Sequence, residues 1–444
     1  MKVKADTLFY GGKIYTMEAP GVCKEAVVLK DGKFAYVGTK EEALERHQAA
    51  GAVHVAVGNV GLLQRHGVGH CCMQAHALDD DGVIGAGLVQ VQTGGQPVLA
   101  VLPLGLVEVG ALDPLALGRL CRTVTQQLQP IWHYDEDFAD YVARSDRGEL
   151  PVRMAVCLDY MFDPENLTPE QRNDPYRAAR MGSFKSFSDG SLGSRSAKLY
   201  TDYADDPGNT GILVISPEDL AKRMYKAYRH GLQPATHCIG DKALEVTLDA
   251  VEYCLQQGLK DGMTPEEQAK RLPFRIIHAQ MATPELIERM KKLPLVLDIQ
   301  PTFLMTDLHW IEERVGKERA VLSYPWKTYL DAGLIMAGGS DAPVESFNPW
   351  IGIYATVTRQ DMDGYPVGGY HPNEKVSVYD AVCMYSKNVA YANGDQDLMG
   401  TIEAGKFADM VVIDRDIFHI PENDIKDIQV LNTYMAGIER YHRD

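Results

Sequence analysis

At 444 residues the chain is too long for one small domain and long enough for a large domain with an accessory one. Its hydrophobic (45%) and charged (24%) fractions are those of an ordinary soluble globular protein. A net charge of −17 argues against nucleic acid or an anionic membrane as the main partner and leaves a small-molecule substrate as the expected one.

The N-terminus, MKVKADTLFYGGKIYT, lacks the apolar h-region of a secretory signal. No apolar run reaches the roughly 18 residues that span a bilayer. The eight cysteines are scattered, with no C-x₂-C pair, which fits reduced thiols in a cytoplasmic protein better than a disulfide framework. Cys238, beside His237, reads as a small buried thiol ahead of a ligand.

Residues 5–40 alternate short β-rich runs with glycine turns, and Asp31-Gly32 between two apolar runs is a hairpin signal. The next stretch, 51–131, obeys different rules. It contains no Lys, Ser, Phe, Tyr or Trp, although the chain holds 22 Tyr and 11 Phe. It reads either as a Gly-rich apolar region that still forms strands or as a frame-shifted translation, the second being preferred. A coding frame that matches close relatives without compensating indels would overturn that preference.

From about residue 150 onward, strands at 152–158, 182–188, 232–237, 273–278, 295–300 and 333–339 alternate with helices at 217–230, 240–257 and 283–292. Ser216 caps and Pro217 opens the first helix; Thr283, Pro284 and Glu285 open the third. Strands alternating with helices of this length imply parallel βαβ units, an α/β architecture. A TIM-like (β/α)₈ barrel over 51–398 is expected, incomplete unless 51–131 supplies the two strands still missing. The β-rich texture of 5–40 returns at 399–440, so 1–50 and 399–444 are expected to meet in one small composite β-sandwich.

Four of the middle runs close on chemically capable side chains: Lys185 in GSFKSFSDGS, His237 in LQPATHCIGD, His278 in PFRIIHAQ and Asp341 in GLIMAGGSDAPVE. Polar ligand-type residues at several strand ends are the layout of a barrel active site. One strand-end histidine is most often a hydrogen-bonded structural residue. Two on consecutive strands, with an acid after the Gly338-Gly339 turn, point to a divalent metal such as Zn²⁺, Fe²⁺ or Mn²⁺ and to a carboxylate that ligates or takes a proton from water. Lys185 has three readings: an ordinary lysine paired with Asp189, a Schiff-base nucleophile, or a lysine carboxylated by CO₂ into an anionic ligand. The two histidines and Asp341 favour the third.

The set FKSFSDGSLGSRSA (184–197), THCIGDKALE (236–245), RIIHAQM (275–281), GGSDAPVE (338–345) and GTIEAGKFADMVVID (400–414), with AVVLKDGKFAYVG (26–38), resembles the amidohydrolase superfamily. Within it the chain is similar to amidohydrolase family 3, the branch with N-substituted formamide deformylase-like proteins, over about 1–48 and 135–444. The resemblance implies a metal-dependent hydrolase of C–N bonds (amide, N-acyl or N-formyl) working through a metal-activated water, on a TIM-like barrel with a urease-type sandwich. It implies Lys185 as the carboxylated bridging lysine, His237 and His278 as ligands, and Asp341 as ligand and proton acceptor. One or two divalent ions, zinc first, would be held. It also suggests Arg195 for a substrate carboxylate, and a homodimer is left open.

Two departures accompany it. The family's first barrel strand ends in an H-x-H pair that supplies two more ligands, and this sequence has none; His66, His70 and His76 do not reproduce that spacing. Ile277 precedes His278 where relatives often carry Glu. The chain also reads as shorter than typical members. A catalytically impaired barrel is therefore the alternative, and a Lys185 Schiff-base lyase the least favoured reading.

Overall fold

A computed structural model of the chain describes residues 3–49, 54–56, 98–100, 125–128, 134–150, 152–158, 178–342 and 344–443. The unusual stretch 51–131, with His66, His70 and His76, lies almost wholly outside them. The chain divides into two compact units. The larger comprises Leu102–Gly400 and Ile417–Ile428; the smaller comprises Met1–Val101, Thr401–Asp416 and Gln429–Asp444.

In the larger unit seven strands lie side by side in sequence order, all parallel: β1 (Thr125–Leu128), β2 (Arg153–Leu158), β3 (Ala179–Phe187), β4 (Pro234–Cys238), β5 (Phe274–His278), β6 (Leu295–Ile299) and β7 (Met336–Gly338). Of the two barrel strands expected within 51–131, one is β1; no second one is found among the described residues. Parallel neighbours need a crossover between them. Helices supply it: α1 (Pro217–Arg229) between β3 and β4, α2 (Asp241–Lys260) between β4 and β5, and α3 (Pro284–Met290) between β5 and β6.

The helix starts follow from their sequences. Ser216 accepts the Asp219 N–H and Thr283 accepts the Leu286 N–H, each ahead of a proline in the first turn. Met154, Val156, Met181 and Phe184 project from β2 and β3 into a core shared with Ala227 and Leu232. Every residue of β5 and β6 is buried, as a sheet covered on both faces requires.

Two strand boundaries differ from expectation. β3 starts at Ala179, before the expected 182, with an irregularity in its pairing between Met181 and Phe184. β7 is confined to Met336–Gly338 because Gly333 turns the chain at φ 79 and Leu334 N–H returns to the Tyr329 carbonyl. Registers that pair Phe187 with His237, Cys238 with His278 and Ile299 with Gly338 bring the C-terminal ends of β3 to β7 to one edge.

In the smaller unit, strands from both termini share one mixed sheet. The hairpins Thr7–Tyr15/Cys23–Lys30/Lys33–Gly38 and Met410–Ile413/Val430–Met435/Ile438–His442 flank Val98–Ala100, which pairs with Thr7–Tyr15 on one side and Met410–Ile413 on the other. Asp31-Gly32 forms the expected turn, both residues at positive φ (51 and 75). Phe9, Val27, Phe34, Met410 and Val412 form its core. Among the described residues no helix is long and apolar enough to cross a membrane.

Candidate active site

The side chains of interest stand at the edge where β3 to β7 end. Along β3 the residues alternate: Phe184 enters the helix-facing core, while Lys185 is directed to the other face. Lys185 is fully buried, its Nζ 5.0 Å from the centre of the Phe187 ring. The Phe187 ring in turn leans on His237 at 5.4 Å.

His237 and His278 meet. Nδ1 of His237 and Nε2 of His278 are 3.0 Å apart, with ring centres 4.5 Å apart. The far nitrogens fix what the near ones can do. His237 Nε2 lies 3.0 Å from the Gly190 backbone carbonyl, which can only accept, so this nitrogen carries the proton. His278 Nδ1 lies 2.6 Å from Gln300 Oε1, and Gln300 Nε2 donates to the Asp298 carbonyl at 3.1 Å, so the amide presents oxygen to the ring and Nδ1 carries the proton. Both facing nitrogens are then left with lone pairs.

Two lone pairs 3.0 Å apart repel unless a cation is shared between them. Burial, with Lys185 adding to it, pushes His278 down to about 3, so this ring stays neutral and keeps its Nε2 lone pair. Two nitrogens on one tetrahedral zinc, at about 2.0–2.1 Å each, stand about 3.3–3.4 Å apart, so a parting of a few tenths of an ångström would admit the ion. The imidazole pair fits such an ion.

His278 is held with strain. Its φ is 73 and that of Ala279 is 43, both in the left-handed region, where non-glycine residues cost energy. Asp189, two residues beyond Phe187, ties the neighbouring segments together. It accepts the backbone N–H groups of Lys198, Ile239 and Gly240, and burial raises its carboxyl to about 7 against their opposing pull.

Asp341 follows β7, two strands from His278, and is also left-handed at φ 54. Among the described residues, no three His, Cys, Asp or Glu side chains form a metal-holding group. Arg195 gives Nε and Nη2 to Asp205 at 3.0 and 2.8 Å, and Asp205 also takes Arg314. Cys238 is buried on the face opposite His237, and burial raises its thiol well above the usual range, which fits a small packed thiol.

Sequence reasoning missed Gln300, the Gly190 carbonyl and Phe303, whose ring stacks on His278 at 5.7 Å. A polar residue at a strand end ahead of Pro301 was the one signal for Gln300.

The amidohydrolase family model matches residues 52–441. YtcJ of Bacillus subtilis, named as an amidohydrolase, is 35% identical over 291 residues, covering 65% of this chain and 52% of that protein. N-substituted formamide deformylase of Arthrobacter pascens is 30% identical over 237 residues, covering 53% of this chain and 41% of that one. The chain thus spans about half the length, or less, of these relatives. In fold it is similar to an uncharacterised metal-dependent hydrolase of Pyrococcus horikoshii (TM-score 0.68, 20% identity, 94% and 99% of the two chains). It is also similar to a zinc-bound adenosine deaminase of Xanthomonas campestris (TM-score 0.59, 13% identity, 99% and 93%). The parallel sheet, the strand-end histidines and the family match agree: this chain is a member of amidohydrolase family 3, with a TIM-like barrel.

Proposed function

We propose that the chain is a metal-dependent hydrolase of a C–N bond in a small amide, N-acyl or N-formyl substrate. The observation that carries the reading is the 3.0 Å approach of two imidazole nitrogens whose far nitrogens both donate to oxygen. Such a pair suits a divalent ion, zinc first. His237 and His278 would hold it, joined by Lys185 once its amine has added to CO₂ with loss of a proton, and by Asp341. The ion would lower the pKa of a water towards about 7 and polarise the substrate carbonyl.

The chain's own residues do the rest. Asp341, as general base, takes the proton from water and delivers it to the leaving nitrogen. Phe187 and Phe303 shield the two imidazoles from solvent. The substrate-carboxylate role of Arg195 falls to its Nη1, since Nε and Nη2 are given to Asp205. The reading extends to a cytoplasmic protein with a composite terminal sandwich, a homodimer being one assembly open to it.

A second reading has its own support. Without an H-x-H pair, and with no three-ligand group among the described residues, a barrel that keeps the fold and one weak metal is the alternative. Metal analysis of purified protein, paired with turnover of N-formyl and N-acyl amines, separates the two. One to two equivalents of metal with turnover is expected. Asp341→Asn should keep metal and lose turnover, and His278→Ala should lose metal. Metal-free, inactive protein supports the impaired barrel.

A further inference from the structure

Resting on the metal reading above, we propose that Gln300 is a positioning residue that holds His278 in the one tautomer able to offer its Nε2 lone pair. Gln300 follows β6, the strand beside β5, and reaches His278 Nδ1 at 2.6 Å. Its amide cannot turn over freely, because Nε2 is committed to the Asp298 carbonyl at 3.1 Å. Asp298 is braced in turn: its carboxylate takes Arg275 Nε at 2.6 Å, and both partners are buried.

The helix that begins at Pro301 brings Phe303 flat against the same ring, so β6 and its continuation control both the tilt and the proton of His278. Ring and amide are buried together, with His278 at 6% and Gln300 at 6% exposure, so water does not replace the bond cheaply. In free imidazole the two tautomers are close in energy, and an outer hydrogen bond decides between them. His237 needs no such side chain, since the Gly190 backbone carbonyl does the same for it.

Two substitutions separate this role from simple packing. Gln300→Met keeps the length and removes both hydrogen bonds. Gln300→Glu keeps an oxygen facing Nδ1, adds a negative charge there and loses the donor to the Asp298 carbonyl. Selective ¹⁵N-histidine labelling of metal-free protein, with the His278 signals assigned through His278→Ala, reads the tautomer directly. The expected result is protonated Nδ1 and unprotonated Nε2 in wild type and Gln300→Glu, and a mixed or reversed population in Gln300→Met. Titration with Co²⁺, read from its visible spectrum, should show affinity lowered about 10- to 100-fold in Gln300→Met and close to wild type in Gln300→Glu.

An unchanged tautomer in Gln300→Met overturns the proposal, as does a Gln300→Glu protein that behaves like Gln300→Met. A wild type that binds no Co²⁺ overturns the metal reading instead, and the tautomer measurement still decides the role of Gln300.

Discussion

Arg180, at the start of β3, is clasped by Asp395, 215 positions further along the chain, both side chains being buried. The pair joins the N-terminal end of a barrel strand to the turn that follows the last helices of the larger unit. A guanidinium keeps its charge wherever it is placed, so Asp395 is what makes Arg180 tolerable in the interior. Asp395→Ala leaves that charge without its carboxylate and is expected to cost about 3–5 kcal/mol. The double variant Arg180→Met with Asp395→Leu should recover most of it, because no charge is then left buried. Urea midpoints of the three proteins measure this; an additive double variant would show that the pair is not coupled.

Metal removal should act on stability as well as on turnover. The facing lone pairs of His237 and His278 are a repulsive contact that bound metal relieves, and a ligand held at 100 times its Kd adds about 2.7 kcal/mol. Dialysis against a chelator is expected to lower the melting temperature, and Zn²⁺ should restore it. His278→Ala, which has no facing pair, should melt at the same temperature with or without metal. An equal response of wild type and variant would place the metal elsewhere.

The outcome separates what local pattern reveals from what only the fold brings together. His237, His278 and Lys185 were legible because each closes or alternates within an apolar run that had to be a strand, and strand ends of a parallel sheet gather at one edge. Gln300 was not, since its function depends on β6 lying beside β5, which no spacing within either strand encodes. Arg195 read as a loose substrate anchor because Asp205 lies across a turn, with nothing in the intervening residues to pair them. β7 was drawn too long because Gly333-Leu334-Ile335 is apolar enough to pass for strand, while the glycine in fact turns the chain.

Asp307 sets a pH dependence of opposite sign to that of most acids. Its carboxylate is buried, accepts Gln280 Nε2 at 2.7 Å and the Tyr324 hydroxyl, and lies near Glu345; burial raises it to about 6. In the unfolded chain the same group titrates near its ordinary value of about 3.9. Between these values the folded state binds the extra proton, so this group's contribution to stability falls as pH rises from about 4 to 6. Asp307→Asn removes that slope, worth at most about 1.4 kcal/mol per pH unit. Relative to wild type, the variant should therefore gain stability as pH is raised through the window. A difference in melting temperature that stays constant from pH 4 to 7 would count against a raised Asp307.

The last prediction concerns Gly240, which opens α2 in the THCIGD motif. Its φ of −77 is open to any residue, so the constraint is space. A Cβ there would stand 2.0 Å from the Lys198 carbonyl oxygen, and Gly240 N–H already donates to Asp189 at 2.8 Å. Backbone, not a mobile side chain, is the obstacle, so Gly240→Ala must push the 189–198 loop away from β4. That loop carries the Gly190 carbonyl that orients His237. The expected cost is about 1–3 kcal/mol, the range for overpacking, together with weakened Co²⁺ binding. Gly258→Ala in the same helix is the control. Its Cβ meets chiefly the Gln268 side-chain amide at 2.7 Å, which can swing aside, and stability within about 1 kcal/mol of wild type is expected. Equal losses of metal affinity in the two variants would mean that the fit between Gly240 and Lys198 does not govern the histidine pair.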